Sequence, residues 1–573
     1  MTWRKVVLTG FGGPERLEVI TENAPPQPEA CEVRVRIRVT SAAFTDVMIR
    51  KGMYPDVKGE AALDPWMRSG GGVGRGRRCR REAGSQGDGA MRNLLSGVIA
   101  LAFCLVATGE ALAQSTALTD VTLVDVETAT LTPGQSLLIR DGLIAGVGPE
   151  IEVGDAAVFD ARGGFLIPGL WDSHVHIFSS ADEPDTALPL YLTNGVTGIR
   201  DMGALWPLDA QKALQARIES GDVQGPRLVL AGAWIDATPG SWPGMFLADT
   251  PPAAKAVVAQ IASEGWAAVK SYSMLDEATY LAIAEAAQAH GLPLVGHVPE
   301  RIVLSTAVEA KHAGMEHFGR VTMACSTTEA QMIDDLRTAM AAGADRTRIF
   351  KIMAARNRII LETWDERLCE TVLARLAAKR MHVSPTLVVA DFYVGARPAS
   401  DTPRMRMLPA EVREAWGRPD FRLEAMTDEV RTLAQDSIAL DRRTFLMAHA
   451  AGVPILASSD ASFANPYLFH GASLLDELDL YVAIGLTPRE ALYTATVAPP
   501  RFFGLADQDG VIAPGRRADL VLLKENPLDD LATLRRPQAV ITAGRVLDRQ
   551  ALDDLERLLL QRGERAASPT ATK

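Results

Sequence analysis

A unit of helix, glycine, short apolar run and metal-binding side chain recurs four times in this 573-residue chain. The four apolar runs lead to the polar side chains Lys270, His297, His317 and Asp460. Short apolar runs that alternate with helices predict parallel strands, whose carboxyl ends share one edge of a sheet. The predicted fold class is therefore α/β, with a (β/α)8 TIM-type barrel over residues 169–504. A doubly wound open sheet is the alternative, although it would not bring so many strand ends to one point.

Alternating apolar runs separated by turns precede and follow that region. They include ALTDVTLVDVET and QSLLIRDGLIAGVG before it, and DGVIAPGRRADLVLL and PQAVITAGRVL after it. This pattern predicts β-strands. We expect residues 114–168 and 505–550 to form a small β-sandwich that flanks the barrel, and residues 551–573 to be a tail, which ends in the disordered stretch GERAASPTATK.

Charge and cysteine content exclude several classes of site. The formal net charge is -12, so the chain lacks the basic surface that a nucleic-acid partner needs. Five cysteines without CxxC spacing exclude a disulfide scaffold and a thiolate zinc site. Two of them, Cys325 and Cys369, lie in the predicted catalytic region. They are either unpaired core residues or, in an oxidising compartment, a disulfide.

The motif DSHVH, residues 172–176, follows the apolar run GFLIPGLW. Because side chains at i and i+2 on a strand project to the same side, His174 and His176 can bind one cation. The motif alone is weak evidence, and the strand-end residues named above strengthen it. Lys270 would repel a cation unless its desolvated amine reacts with CO2 to form an anionic carbamate. The alternative is a surface lysine whose stem covers apolar surface.

The first 113 residues differ from the rest. Residues 1–59 contain MTWRKVVLTGFGGPERLEVI and resemble a truncated N-terminus of quinone oxidoreductases, without a cofactor domain. Residues 60–90 are rich in glycine and arginine and predict a disordered linker. Residues 91–113 have the positive start, short apolar run and small-residue cleavage site of a secretory signal peptide.

This internal signal peptide leads to the hypothesis that a start-site or reading-frame error joined a gene fragment to an enzyme beginning at Met91. A genuine fusion is the alternative. We expect a periplasmic or secreted protein if translation starts at Met91, and otherwise a cytoplasmic one. No stable membrane anchor is expected, because the apolar run is short for a membrane span.

Residues 116–550 resemble the amidohydrolase superfamily, most closely its imidazolonepropionase-like and zinc Xaa-Pro dipeptidase-like members. The resemblance rests on FLIPGLWDSHVH, VKSYS, VGHV, GMEHFG, AGVPILASSDAS and HGASLLDELDLYVAIGLTPREALYTATVAPPRFFGL. It implies two divalent metal ions, zinc in related members. The implied ligands are His174, His176 and Asp460 for the more buried ion, His297 and His317 for the second, and carbamylated Lys270 as the bridge.

The resemblance also implies a metal-dependent hydrolase that cleaves a carbon–nitrogen bond of a small substrate, such as a dipeptide or N-acyl amino acid. A zinc-activated hydroxide would attack the carbonyl, and Asp460 would carry its proton to the leaving amine. The alternative is a mononuclear cyclic-amide hydrolase or deaminase, which Lys270 disfavours. A non-catalytic binding protein is a third reading, disfavoured because all six ligands are retained. A homo-oligomer is left open.

Three further residues are candidates for substrate binding. Tyr272 resembles a position that contacts a substrate carboxylate in related dipeptidases, and otherwise is a packed barrel tyrosine. Arg200, at the end of the second strand, either binds substrate or forms a structural ion pair. His470 is expected in the pocket wall. The segment from Asp391 to Arg443 is expected to form a lid or wall that sets specificity.

Overall fold

The computed structural model describes residues 3–8, 17–22 and 115–567, except for 204, 233, 239, 243, 391–393, 395–400 and 419–426. The chain divides into two units, residues 1–106 and 107–573. In the first unit the strands Trp3–Leu8 and Leu17–Glu22 pair antiparallel. The predicted linker and signal peptide lie outside the described residues. Within those residues, no helix combines the length and apolar character needed to cross a bilayer.

The second unit has a mixed α/β fold with a curled parallel sheet, which confirms the α/β class. One parallel sheet contains the strands Leu170–Val175, Val196–Asp201 and Arg227–Leu230. Another contains Trp234–Asp236, Phe246–Leu247, Val269–Ser271, Leu294–Gly296, Gly314–Glu316 and His382–Ser384. Their buried side chains pack against the surrounding helices in one large apolar core.

Helices alternate with these strands. Their bounds are Glu183–Thr193, Leu208–Glu219, Pro251–Glu264, Glu277–Ala289, Leu304–Glu309, Gly319–Ala324, Glu329–Ala341, Arg346–Thr363, Glu366–Ala378, Pro403–Arg406, Ala410–Gly417, Asp428–Ala450, Ala472–Ile484, Pro488–Thr496, Ala498–Phe502 and Arg549–Ala567, with 3-10 turns at Leu387–Ala390 and Leu531–Arg535. Several helices begin at residues whose side chains favour an N-cap. The side chains of Thr250 and Asp276 accept N-cap hydrogen bonds, and Thr487 forms a capping box with Glu490.

The predicted last parallel strand, VPILASSD, is present only as extended chain with isolated bridges. Residues 453–461 lie between the last strand of the six-stranded sheet and the first strand of the three-stranded sheet, with bridges at Ile455 and Ala461. A continuous ladder is interrupted because Pro454 has no N–H to donate and Asp460 has a left-handed backbone with φ 55°.

The two predicted β-segments, 114–168 and 505–550, meet in one eight-stranded sheet. Its strands are Thr116–Asp125, Thr130–Arg140, Leu143–Gly148, Ala157–Asp160, Phe165–Pro168, Leu520–Leu523, Ala539–Thr542 and Arg545–Asp548. Antiparallel pairing of Phe165–Pro168 with Leu520–Leu523 joins the halves. Contributions from both ends of the catalytic region therefore share one sheet, and a sandwich is not confirmed.

The predicted C-terminal tail is largely helical. The helix Arg549–Ala567 occupies most of the predicted tail, 551–573. It forms because Leu552 and Leu559 recur on one face and become fully buried.

Cys325 and Cys369, both buried, form a disulfide across a sequence separation of 44 residues. Of the two alternatives left open for these cysteines, the structure has the paired one.

Candidate metal centre

All six predicted metal ligands line one cavity of about 500 Å3. Parallel strands place them there, because each ligand lies at or just after the carboxyl end of a strand. Lys270 lies within Val269–Ser271, and His297 and His317 directly follow the next two strands. Their roles as ligands stay a prediction, but their convergence is a property of the fold.

Three donor atoms in the cavity face one another closely. The Nε2 atoms of His174 and His176 are 3.2 Å apart, and Asp460 Oδ1 lies 3.3 and 3.4 Å from them. A tetrahedral zinc with bonds of about 2.0–2.2 Å holds its ligand atoms roughly 3.3–3.6 Å apart. The triangle of donors therefore fits one divalent ion. These residues also form the group that could hold a metal among the described residues.

Hydrogen bonds fix the tautomers of the two histidines. His174 Nδ1 is 2.9 Å from Glu316 Oε2, and His176 Nδ1 is 2.9 Å from the carbonyl oxygen of Gly203. Both partners only accept hydrogen bonds, so each Nδ1 carries the proton. Each Nε2 is then left with a lone pair that points toward Asp460, as a metal ligand requires.

His297 and His317 lie beside these three residues in the same cavity. Their ring centroids are 4.8 Å apart, and His317 lies 5.1 Å from the ring of His174. Each Nδ1 again has a partner: Ser273 Oγ at 2.9 Å for His297, and Thr386 Oγ1 at 2.7 Å for His317. Burial lowers the pKa of both imidazoles, so they are neutral and can coordinate a cation.

Lys270 is a buried amine in the same cavity. Its Nζ donates to the carbonyl oxygen of Met202 at 2.7 Å and lies 5.3 Å from the Trp234 ring centroid. Burial lowers the pKa of Lys270 to about 8, against the opposing attraction of Glu316 and Asp460. The surface-lysine alternative is therefore wrong, because Lys270 is only 1% exposed.

The side chain of Asp460 is a buried carboxylate with a lowered pKa. Burial works against its charge, but a proton on the neighbouring imidazole of His174, His317 or His176 would attract the carboxylate, and this interaction holds the pKa of Asp460 well below the usual range for aspartate. The carboxylate is therefore ionised. His317 and Asp460 both have left-handed backbones, with φ of 66° and 55°, and such strain in non-glycine residues clusters at functional sites.

Glu316 is a functional residue that the sequence reasoning missed. Its Oε1 accepts from Arg200 at 2.7 Å while Oε2 accepts from His174, and all three side chains are buried. Arg200 also donates to Ser384 Oγ at 3.1 Å. Arg200 therefore forms the structural ion pair, and the expectation that it binds substrate is corrected. The position of Glu316 directly before His317, at a strand end, was the available signal.

The other two substrate candidates have different outcomes. Tyr272 lines the cavity and stacks on His297, with ring centroids 4.1 Å apart. His470 is buried instead in a network with Tyr191 Oη at 2.9 Å and Glu183 Oε1 at 3.1 Å. His470 is absent from the described lining of this cavity, which corrects the expectation that it lies in the pocket wall.

The segment between Asp391 and Arg443 does reach the cavity. Its helix Ala410–Gly417 contributes Glu411, Val412 and Ala415 to the wall. The sequence reasoning also missed Trp234 and Trp242 in the wall. Neither tryptophan stands in a repeating pattern, so only the folded chain shows that they share a cavity with the predicted metal ligands.

Comparison with known proteins places this centre in a family. The sequence signature of the amidohydrolase family matches residues 165–547. An adenine deaminase of Desulforamulus reducens is 37% identical over 78 residues, which are 14% of this chain and 13% of that protein. The chain thus spans a small part of the length of this curated relative.

Solved structures resemble the whole catalytic region. Bottromycin amidohydrolase has a TM-score of 0.61 and 22% identity, covering 78% of this chain and 91% of its own. A Xaa-Pro dipeptidase with methionine bound in its active site has a TM-score of 0.54 and 18% identity, covering 76% of this chain and all of its own. At these identities the likeness shows a shared fold. Because the family signature covers well over half of the residues, the chain belongs to the amidohydrolase family.

Proposed function

We propose that this protein is a binuclear metal-dependent hydrolase that cleaves an amide or peptide-like C–N bond of a small substrate. The observation that carries the proposal is the convergence of four histidines, one carboxylate and one buried amine on a single cavity. His174, His176 and Asp460 would hold one ion, and His297 and His317 the other. Lys270, as a carbamate, would bridge them, which would turn a repelling amine into an anionic ligand.

Two bound divalent ions would supply an activated water and polarise the carbonyl oxygen. The side chains of the protein would complete the reaction. Water adds to the carbonyl carbon while Asp460, ionised and facing the cavity, accepts its proton. Asp460 then gives that proton to the leaving nitrogen as the C–N bond breaks, so that the products are a carboxylic acid and an amine. Glu316 and Gly203 would keep His174 and His176 in the ligand tautomer.

A mononuclear cyclic-amide hydrolase or deaminase is the second candidate. It is favoured by one observation: among the described residues, His174, His176 and Asp460 form the only group of three or more histidine, cysteine or acidic side chains whose donor atoms all lie within 4.8 Å of one another. The relative named adenine deaminase agrees with this class. Bound metal distinguishes the candidates, since a carbamate-bridged centre needs two ions and the alternative needs one.

We further infer that the parallel strands close into a (β/α)8 barrel over residues 169–504, flanked by β-structure from 114–168 and 505–550. Backbone bonds support closure on both sides: Leu456 N–H donates to Val383 O at 2.9 Å, and Asp460 N–H donates to His174 O at 2.8 Å. If translation starts at Met91, we further propose export with removal of residues 91–113, and the disulfide between Cys325 and Cys369 supports this because such bonds persist in oxidising compartments.

The test combines metal content with activity. Full-length protein is stripped with a chelator, reloaded with zinc and bicarbonate, and assayed on dipeptides, N-acyl amino acids, lactams and adenine. We expect hydrolysis of an acyclic amide that is lost in His297→Ala and retained in His290→Ala, a matched control at an exposed histidine. Activity on adenine or lactams alone would favour the second candidate, and inactivity on the whole panel would contradict both.

A further inference from the structure

We infer that the preferred substrate carries an aromatic group beside its scissile amide and no anionic group at the end remote from the metal centre. This inference rests on the proposed function, since it names the substrate class of the same site. It is carried by an aromatic wall made of Trp234, Tyr272 and Trp242, and by the acidic residues Asp182 and Glu411 in the lining of the same cavity.

The aromatic wall extends outward from the metal ligands. Trp234 meets the ring of His176 edge-on, with centroids 5.6 Å apart, and lies nearly parallel to Tyr272 at 5.8 Å. Tyr272 stacks in turn on His297. The indole N–H of Trp242 donates to Tyr272 Oη at 2.8 Å, which adds a third ring to the wall. A flat group attached to a carbonyl at the metals would therefore lie against aromatic faces.

Trp242 is exposed but held in place. Its side chain is 47% exposed, although large aromatic rings normally bury most of their surface. The preceding residue, Ser241, donates to Asp236 Oδ2 at 2.7 Å, and Met274 N–H donates to Asp236 Oδ1 at 2.7 Å. The hydrogen bond of Trp242 to Tyr272 and the anchoring of the adjacent Ser241 orient the Trp242 ring toward the cavity, which lowers the cost of ordering it when a ligand ring covers it.

The charges of the lining oppose a substrate carboxylate. Asp182 and Glu411 are exposed acids in the described lining, where Lys270 is the single lysine or arginine side chain. Lys270 is buried among the metal ligands, so it offers no cation to the remote end of a substrate. A free carboxylate there would meet like charge without a compensating cation among the described residues of the lining, whereas a neutral or cationic group would meet no such repulsion.

The experiment compares matched dipeptide N-methylamides with zinc-loaded full-length protein. Each substrate joins glycine to phenylalanine or to leucine, and both orders of the two residues are used so that the larger side chain lies on either side of the scissile bond. The free-acid form of each dipeptide and glycylglycine N-methylamide are included for comparison. We expect kcat/KM to be about fivefold higher for phenylalanine than for leucine, as aromatic contacts of this strength give. We expect it to be at least about tenfold higher for the N-methylamide than for the free acid.

Variants assign these preferences to residues. Trp242→Ala is expected to bring the phenylalanine-to-leucine ratio close to one, and Trp242→Phe to keep most of it. Glu411→Gln is expected to reduce the ratio of kcat/KM for the N-methylamide to kcat/KM for the free acid. Leu247→Ala, at an exposed apolar side chain of the nearby strand Phe246–Leu247 and outside the described cavity lining, is the control and should leave both ratios unchanged.

Two outcomes would overturn the inference, and they are distinguishable from failure of the proposed function. Hydrolysis of the glycine and leucine substrates with no preference for phenylalanine would refute the aromatic site alone. Equal or better hydrolysis of the free acids would refute the charge argument. If no substrate of the series is hydrolysed by zinc-loaded protein, both the proposed function and the inference fail.

Discussion

Replacing Glu316 with glutamine would test whether the buried network behind His174 supports the metal centre. The carboxylate of Glu316 accepts from His174 and Arg200 through separate oxygens, at 2.9 and 2.7 Å, and is fully buried. An amide has only one acceptor oxygen, so Glu316→Gln leaves one buried donor without its bond. Loss of such a partner of a metal-bound histidine lowers metal affinity by about 10–100-fold. Loss of the charge opposite Arg200 costs about 3–5 kcal/mol of folding free energy.

The assay is a zinc titration against a competing chelator, with unfolding in urea measured on the same samples. Glu309→Gln is the control, because Glu309 forms an exposed ion pair with Arg375 and its replacement should leave zinc affinity and stability close to those of the parent. A folded Glu316→Gln protein that binds zinc as tightly as the parent would refute the role of Glu316. Unchanged stability would refute the ion-pair argument.

The remaining predictions concern stability. Replacing Cys325 and Cys369 with alanine opens a loop with a sequence separation of 44 residues, so chain entropy predicts a loss of about 4 kcal/mol in urea unfolding; no loss would mean that the bond does not form. Thr487→Ala should cost about 1 kcal/mol at neutral pH, while Thr432→Ala, exposed in mid-helix, should stay within about 0.5 kcal/mol. The hydrogen bonds from Thr487 lower the pKa of Glu490 to about 2 from 4.5, so the Thr487→Ala deficit should be complete above pH 4.5 and shrink toward pH 2. A deficit that does not change with pH would contradict this assignment.

Much of the site could be predicted because periodicity and chemistry agree at the same positions. Lys270 and His297 end runs that are too apolar to lie at the surface, and the parallel arrangement places such strand ends together. The N-caps at Thr250 and Asp276 likewise depend on local sequence, because an N-cap involves only a few neighbouring residues. Features that depend only on neighbouring residues can be predicted without knowing the tertiary contacts.

What could not be predicted depends on contacts between distant segments. Arg200 and Glu316 are separated by 116 positions, and their pairing exists only once two strands are in place. The position of His470 shortly after Asp460 in the sequence suggested the pocket wall, but its side chain hydrogen-bonds to Glu183 and Tyr191 in a separate buried network. The predicted tail is helical because its leucine side chains are buried against an apolar surface elsewhere in the fold. Residue composition alone does not reveal that surface.

The central claim is that two metal ions share a carbamylated Lys270, and anomalous diffraction from zinc-loaded crystals grown with bicarbonate tests it directly. The proposal predicts two zinc peaks in each chain, one beside His174, His176 and Asp460 and one beside His297 and His317. It also predicts continuous density from Lys270 Nζ to both ions. A single peak, or two peaks with an unmodified amine at Lys270, would contradict it.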